Sequence, residues 1–289
     1  MAANAATSAV LGSALVALLA CSACNEAPRG ATRTTAPTVV TSTATDYAFD
    51  APDTIAAGFT TFRLLNHSDQ LHTAQLIRLE EGKTLDDFLV AYEKAFRTTG
   101  PRPPWAPRLG GPGVADPHAE SNATHHLEPG SYAWICLMDV PDGIPHVVKA
   151  KMAKHFTVRD RSQETATAVA PNATITIQLE DYSFRISGPL GAGRHVFRVQ
   201  NTGAEPHEIG LVRLAAAKTM QDFKAWMQNP RGPPPASSVG GIASMAPSAT
   251  ASCFEAEVTS GEYLLLCFVT APDGRPHTDH GMIQHLRVE

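Results

Sequence analysis

The sequence predicts an all-β protein built from two tandem copies of one β-sandwich domain, each copy with a single inserted helix. Three observations predict it. The chain matches itself at a nearly constant offset. Its apolar residues fall in short runs bounded by Gly-containing turns, as the strands of a sandwich do. One stretch per copy has helical spacing behind a capping-box start. At 289 residues there is room for two domains of roughly 100–200 residues each.

The repeat is clearest at an offset of 135, where Asp46-Tyr47-Ala48-Phe49 falls on Asp181-Tyr182-Ser183-Phe184, Asn66 on Asn201 and His72 on His207. Ile77-Arg78-Leu79 falls on Val212-Arg213-Leu214, and Asp87-Phe88 on Asp222-Phe223. After a loop that is four residues shorter in the second copy, Cys136 meets Cys267. There Pro141-Asp-Gly-Ile-Pro-His146 also meets Pro272-Asp-Gly-Arg-Pro-His277, and Met152 meets Met282 after one further gap. The expected boundaries are 41–160 and 171–289, with a Thr/Ala-rich linker over 161–170.

Phe62–Leu65 and Val196–Val199 read as short buried strands, and Tyr132–Cys136 and Tyr263–Cys267 as apolar strands entered from a glycine turn. Thr84 with Asp87, and Thr219 with Asp222, read as helix starts. Leu85, Phe88, Leu89, Tyr92 and Phe96 follow in the first copy, and Met220, Phe223 and Met227 in the second. The Pro/Gly-rich stretches Gly100–Gly113 and Pro230–Gly241 read as irregular loops.

Each copy supplies two histidines, a cysteine and a methionine in one order: His72, Cys136, His146 and Met152, then His207, Cys267, His277 and Met282. Two imidazoles and a thiolate with a long thioether ligand hold copper in electron-transfer sites, the soft sulfur favouring Cu(I). A lone cysteine at a strand end is more often a small buried hydrophobe, and a lone methionine is more often core filler. Four ligand types in the same order, twice, outweigh that reading.

These residues resemble the cupredoxin family of plastocyanin- and azurin-like proteins. Asn201-Thr-Gly-Ala-Glu-Pro-His207 is similar to its first-ligand loop, Gly261-Glu-Tyr-Leu-Leu-Leu-Cys267 to its cysteine strand, and His277-Thr-Asp-His-Gly-Met282 to its final ligand segment. The resemblance covers most of both copies and implies two cupredoxin-like Greek-key β-sandwiches with copper at one end of each. The sequence departs from the familiar members in several places. Nine residues separate Cys from the second His in both copies, and Thr73 or Glu208 follows the first His. Five residues separate His146 from Met152 where the second copy has four, and Lys151 stands where the second has Gly281. The second copy is therefore expected to form the better site. Two-domain members of the family include nitrite reductases and laccases, in which a His beside the copper Cys connects to a second centre. Here Cys136 lies between Ile135 and Leu137, and Cys267 between Leu266 and Phe268, so an enzyme is not expected.

The remaining expectations concern compartment and partners. No Asp, Glu, Lys or Arg occurs in the first twenty residues, and the short apolar run ending Leu18-Leu19-Ala20-Cys21 reads as an export signal over 1–20. It resembles a bacterial lipobox, which implies lipidation at Cys21, a membrane contact through that anchor only, and a flexible tether over 21–40, within a Pro/Thr/Ala-rich stretch running from Ala27 to Thr45. The alternative is a plain secretory signal cleaved near Ala23. A net charge of −5 argues against a nucleic-acid partner. Cys253 has no counterpart in the repeat and could bridge to Cys267, although the family fold would place those strands in opposite sheets. His118, His125, His126 and His285 read as solvated or satisfied surface side chains, and His280 as such, or as a supporting residue or exchangeable ligand at the second site. The expected function is that of an exported copper-binding electron carrier serving an unidentified redox or copper-exchange protein. Copper buffering in the cell envelope, or metal-free binding, are the alternatives.

Overall fold

Side chains of a strand alternate between its two faces, and in the strand Gly130–Ile135 both faces are apolar. Tyr132, Trp134 and, just beyond the strand, Cys136 enter one core, while Ala133 and Ile135 enter another. Gly261–Leu266 repeats the pattern, with Tyr263, Leu265 and Cys267 on one side and Leu264 and Leu266 on the other. The first face packs into the space between two sheets, and the second lies under a helix. The double burial explains the unbroken apolar runs in the sequence. The parity also delivers each cysteine to the interior of its sandwich.

The fold is that of a computed structural model, which describes Met1 and residues 34–161, 167–247 and 249–289. The export signal, Cys21, Cys24, the tether up to residue 33 and linker residues 162–166 lie outside the described residues. Within 33–289 the chain forms one unit. Among the described residues no helix is long and apolar enough to cross a membrane.

Two large sheets form among the described residues, one of nine strands and one of eight. Gly58–Asn66 and Glu120–Leu127 lie in the eight-stranded sheet, and Gln75–Leu79 and Gly130–Ile135 in the nine-stranded one, so the chain passes between layers as a Greek key does. The second repeat follows the same course, with Gly193–Asn201 and Ser252–Val258 facing His207–Leu214 and Gly261–Leu266. Each repeat has its own core between the sheets. In the first, Trp134 stacks on Phe156 with ring centroids 4.3 Å apart and meets the edge of Phe62. In the second, Phe197 stacks on Phe254 at 4.6 Å.

The inserted helices are Leu85–Arg97 and Met220–Gln228, and both begin with the expected capping box. The Thr84 hydroxyl accepts the Asp87 N–H at 3.1 Å and the Asp87 carboxylate accepts the Thr84 N–H at 2.9 Å. Phe88, Tyr92 and Ala95 are the buried face of the first helix. A further helical turn starts at each second histidine: His146–Lys149 is one turn of α-helix and His277–His280 one of 3-10 helix.

Three sequence expectations are corrected. The stretch read as tether up to Thr45 is a strand from Thr38 onward, paired in parallel with Gly58–Asn66. Its Val40, Ser42 and Ala44 alternate inward, a period hidden by the run of similar small β-branched residues. The loops read as irregular contain the strand Arg108–Gly110 and the start of Ala236–Met245. These strands join the repeats: Met245 pairs with Leu109 in the nine-stranded sheet, and Cys253 with Thr124 in the eight-stranded one. Glycines in and beside them let each strand close on the backbone of its own repeat. A Cβ on Gly111 would lie 2.1 Å from the Ala74 carbonyl oxygen, and one on Gly241 2.1 Å from that of Ile209, with φ of +116° and +152°.

Polar side chains line the seam. Gln75 donates to the carbonyls of Gly110 at 2.8 Å and Ser244 at 2.9 Å. His125, expected at the surface, is buried there, with Nδ1 2.7 Å from the Ser252 hydroxyl.

Candidate metal centre

The strand parity that buries Cys136 and Cys267 is half of each site. The other half is a loop held by an asparagine six residues before the first histidine. Asn66, fully buried, donates through Nδ2 to the carbonyls of Gln70, Ala115 and Asp116 at 2.6, 3.1 and 3.0 Å, and its Oδ1 accepts the Ser68 N–H at 3.0 Å. His72 is then fixed by paired backbone hydrogen bonds with Ala115. Asn201 works alike, donating to the carbonyls of Glu205 at 2.8 Å and Met245 at 2.9 Å and accepting the Gly203 N–H at 3.0 Å.

The loop after the cysteine returns to it through the backbone. Met152 donates its N–H to His146 O and accepts the Cys136 N–H at 3.1 Å. Met282 does the same between His277 and Cys267. Both methionines are fully buried in the sandwich core beside their cysteine. Lys151, with φ of 55°, makes the left-handed turn that Gly281 makes at 100°, each directly before its methionine, so the extra residue of the first repeat lies before Lys151.

Each set of three donors converges. His72 Nδ1 and His146 Nδ1 both lie 3.5 Å from Cys136 Sγ. In the second repeat His207 Nδ1 and His277 Nδ1 are 3.0 Å apart, and His277 Nδ1 is 3.4 Å from Cys267 Sγ. In each repeat all three donor atoms lie within 4.8 Å of one another, on residues at most 1 % exposed. A metal about 2 Å from three donors in a plane holds them about 3.5 Å apart, so the observed spacing fits.

The electrostatics point the same way. Burial, and His146 beside it, hold the His72 imidazole down to about 4. Burial lowers His146, and burial together with His207 lowers His277. The His72, His146 and His277 imidazoles are thus held neutral near pH 7, which leaves each a lone pair for a cation. Burial pushes the Cys136 thiol up to about 11, and burial with Glu208 raises Cys267. A thiol that a dry pocket keeps protonated would lose its proton to solvent when a metal binds the sulfur in its place.

The structure therefore brings together His72, Cys136 and His146, and His207, Cys267 and His277, with Met152 and Met282 anchored on the same loops. Cys253 is free, half a sandwich away from Cys267 in the other sheet. His280 faces Asp273 at 3.1 Å and stacks near Tyr182, outside the donor cluster. His118 pairs with Asp69, His126 with Glu128 and His285 with Glu262, all at the surface. Sequence reasoning missed Asp181 and Glu205. Asp181 Oδ1 lies 2.9 Å from His207 Nε2, and Glu205 Oε2 lies 3.1 Å from His277 Nε2. Their signal was present in the repeat, since Asp46 matches Asp181 but Gln70 stands against Glu205.

The two-sheet fold is cupredoxin-like, and the twice-formed His, Cys, His cluster, with a buried Met on the same loop, is a donor set suited to copper. No family model and no curated protein matches the chain. Among solved structures it is similar to auracyanin from Roseiflexus castenholzii, at 19% identity over 43% of this chain and 99% of that one, with a TM-score of 0.30. Auracyanin A from Chloroflexus aurantiacus gives 20% identity over 43% and 99%, with a TM-score of 0.31. A blue copper oxidase from Nitrosomonas europaea spans both repeats, at 13% identity over 89% of this chain and 86% of that one, with a TM-score of 0.25.

Proposed function

We propose that this protein is an exported one-electron carrier that holds one copper ion in each repeat, at His72, Cys136, His146 and Met152 and at His207, Cys267, His277 and Met282. The observation that carries the reading is the complete burial of both histidine–cysteine–histidine sets. Bound copper supplies a Cu(I)/Cu(II) couple that gains or loses one electron. The protein's part is to fix the donors. The asparagine-held loop and the cysteine strand set two ligands, and the methionine backbone closes the third segment onto them. A rigid, dry cage of this kind limits rearrangement between oxidation states.

Burial favours a carrier over a delivery protein, because electrons cross a thin protein wall whereas copper exchange requires the cage to open. It also favours a carrier over an oxidoreductase, since a catalytic metal keeps an open position for substrate. The partner in this reading is a redox protein of the same compartment, with the chain exported through residues 1–20 and anchored by lipid at Cys21.

Cu(II) titration of the full chain with visible spectroscopy tests the proposal. Two coppers per chain and an intense thiolate-to-copper band are expected, the band halved in Cys136→Ser and in Cys267→Ser and bleached reversibly on reduction. Copper uptake without the band would favour buffering, and no stoichiometric uptake would sink the metal reading.

A further inference from the structure

The two donor sets match closely, but the groups behind their histidines do not. In the second repeat each ligand imidazole turns its Nε2 to a carboxylate, His207 to Asp181 at 2.9 Å and His277 to Glu205 at 3.1 Å. Asp181 is itself fixed by the N–H groups of Ala204 and Glu205, and Glu205 Oε1 accepts the Tyr182 hydroxyl at 2.9 Å. In the first repeat His72 Nε2 meets a neutral hydroxyl, Ser68 Oγ, at 2.8 Å. That hydroxyl donates onward to Asn66 Oδ1 at 3.0 Å. Gln70 occupies the place of Glu205 in the repeat.

One position explains the difference on the His72 side. Ser68 corresponds to Gly203, and a Cβ on Gly203 would lie 2.4 Å from Asp181 Oδ1 and 2.7 Å from His207 Nε2. Only a glycine there lets the aspartate reach the histidine. The first repeat keeps the aspartate, as Asp46, but fills the gap with a side chain that takes the imidazole for itself. Backbone N–H groups face both sulfurs, those of Thr73 and Met138 at Cys136 and those of Glu208 and Val269 at Cys267, but the Thr73 side chain also bonds Cys136 where the Glu208 carboxyl acts on Cys267. The asymmetry at the imidazoles therefore adds to one at the sulfur, and substitutions at the carboxylates separate the two.

We infer that Asp181 and Glu205 are positioning residues that bias the second site toward Cu(II), so that the two sites are unequal and an electron shared between them rests in the first repeat. This rests on copper occupying both sites. With a metal on Nδ1, the proton sits on Nε2 and is donated to the carboxylate, which makes the imidazole a more basic ligand. Greater basicity and nearby negative charge both favour the more highly charged ion. Asp181 is 40% exposed and Glu205 24%, so water screens their charge and the hydrogen bonds to buried imidazoles are the main route.

Cys136→Ser and Cys267→Ser each leave one complete site without altering either carboxylate, so their copper stoichiometry, thiolate band and midpoint potential can be compared directly. At a given applied potential the second site should hold at least about ten times more Cu(II) relative to Cu(I), about 59 mV for a one-electron couple. In the Cys136→Ser protein, Asp181→Asn, Glu205→Gln and Gly203→Ser should each raise the potential. In the Cys267→Ser protein, Ser68→Gly should lower it by opening His72 to Asp46. Equal or reversed potentials in the two cysteine variants overturn the inference while leaving the copper reading intact, as do amide variants that bind copper with an unmoved potential. Failure of both sites to take up copper overturns both. If Asp181→Asn loses its metal, the shifts in Glu205→Gln and Ser68→Gly decide.

Discussion

Cys253 stands opposite Thr124 in antiparallel register, and this pair carries the eight-stranded sheet from one repeat into the other. The contact has the logic of an isologous dimer within one chain. Asn122 is the repeat equivalent of Cys253, and Thr124 that of Glu255. Asn122 meets Glu255 just as Cys253 meets Thr124.

Asn122 works as a surrogate strand residue at this seam. Its Nδ2 donates to the Glu255 carbonyl and its Oδ1 accepts the Glu255 N–H, both at 2.8 Å. Asn122→Ala leaves both backbone groups without those partners in a half-buried setting, for an expected loss of about 1–2 kcal/mol. Urea denaturation should show a lower midpoint at an unchanged slope, because the surface exposed on unfolding is the same.

His125 gives the seam a pH dependence. Burial lowers its pKa from 6.5 to about 4, so between those values the unfolded chain binds a proton that the folded chain refuses. Stability should therefore fall as pH drops from about 6.5 to 4 and level off below, by about 3 kcal/mol for a separation of that size. His72 contributes in the same window when metal-free, so the informative quantity is the difference between His125→Gln and the parent in one metal state. His125→Gln should be weaker at pH 7 for lost packing yet show a flatter acid limb. An equally steep limb in the variant would assign the effect elsewhere.

Gly241 permits the backbone of its strand to close on Ile209. A Cβ 2.1 Å from a carbonyl oxygen cannot be accommodated by a side-chain rotation, and φ of +152° adds strain for any other residue. Gly241→Ala should cost at least about 3 kcal/mol, read as a large fall in Tm. Gly210→Ala is the control, since nothing lies within 4 Å of a Cβ there.

These seam residues show where sequence reasoning stops. The capping boxes at Thr84 and Thr219 were legible from local spacing, and the repeat and both donor sets because the same residue types recur in the same order in the two copies. The seam was not. Arg108–Gly110 and Ala236–Met245 carry the glycines that close backbone contact requires, and glycine clusters read as loops. His125 looked like any polar residue near His126, because its partner, the Ser252 hydroxyl, comes from the other repeat. Asp181 was visible as the repeat partner of Asp46 but without a role, and Glu205 had no match at Gln70, because a carboxylate behind a ligand becomes significant only when the fold places it at Nε2.

Asn201 ties the second ligand loop to the seam itself. It donates to the carbonyls of Glu205, in the loop before His207, and of Met245, whose strand pairs with Leu109 of the first repeat. Asn201→Ala removes both anchors and the acceptor for the Gly203 N–H, so His207 must be ordered by the metal rather than in advance of it. In the Cys136→Ser protein this should weaken copper binding at the second site by about 10-fold or more, the usual scale for losing support behind a ligand. The first site, held by Asn66, should keep its affinity when measured in the Cys267→Ser protein. Chelator competition in the two backgrounds reads the split directly. A parallel loss at both sites would mean that Asn201 acts through the stability of the seam, which the denaturation midpoint of the same variant would register.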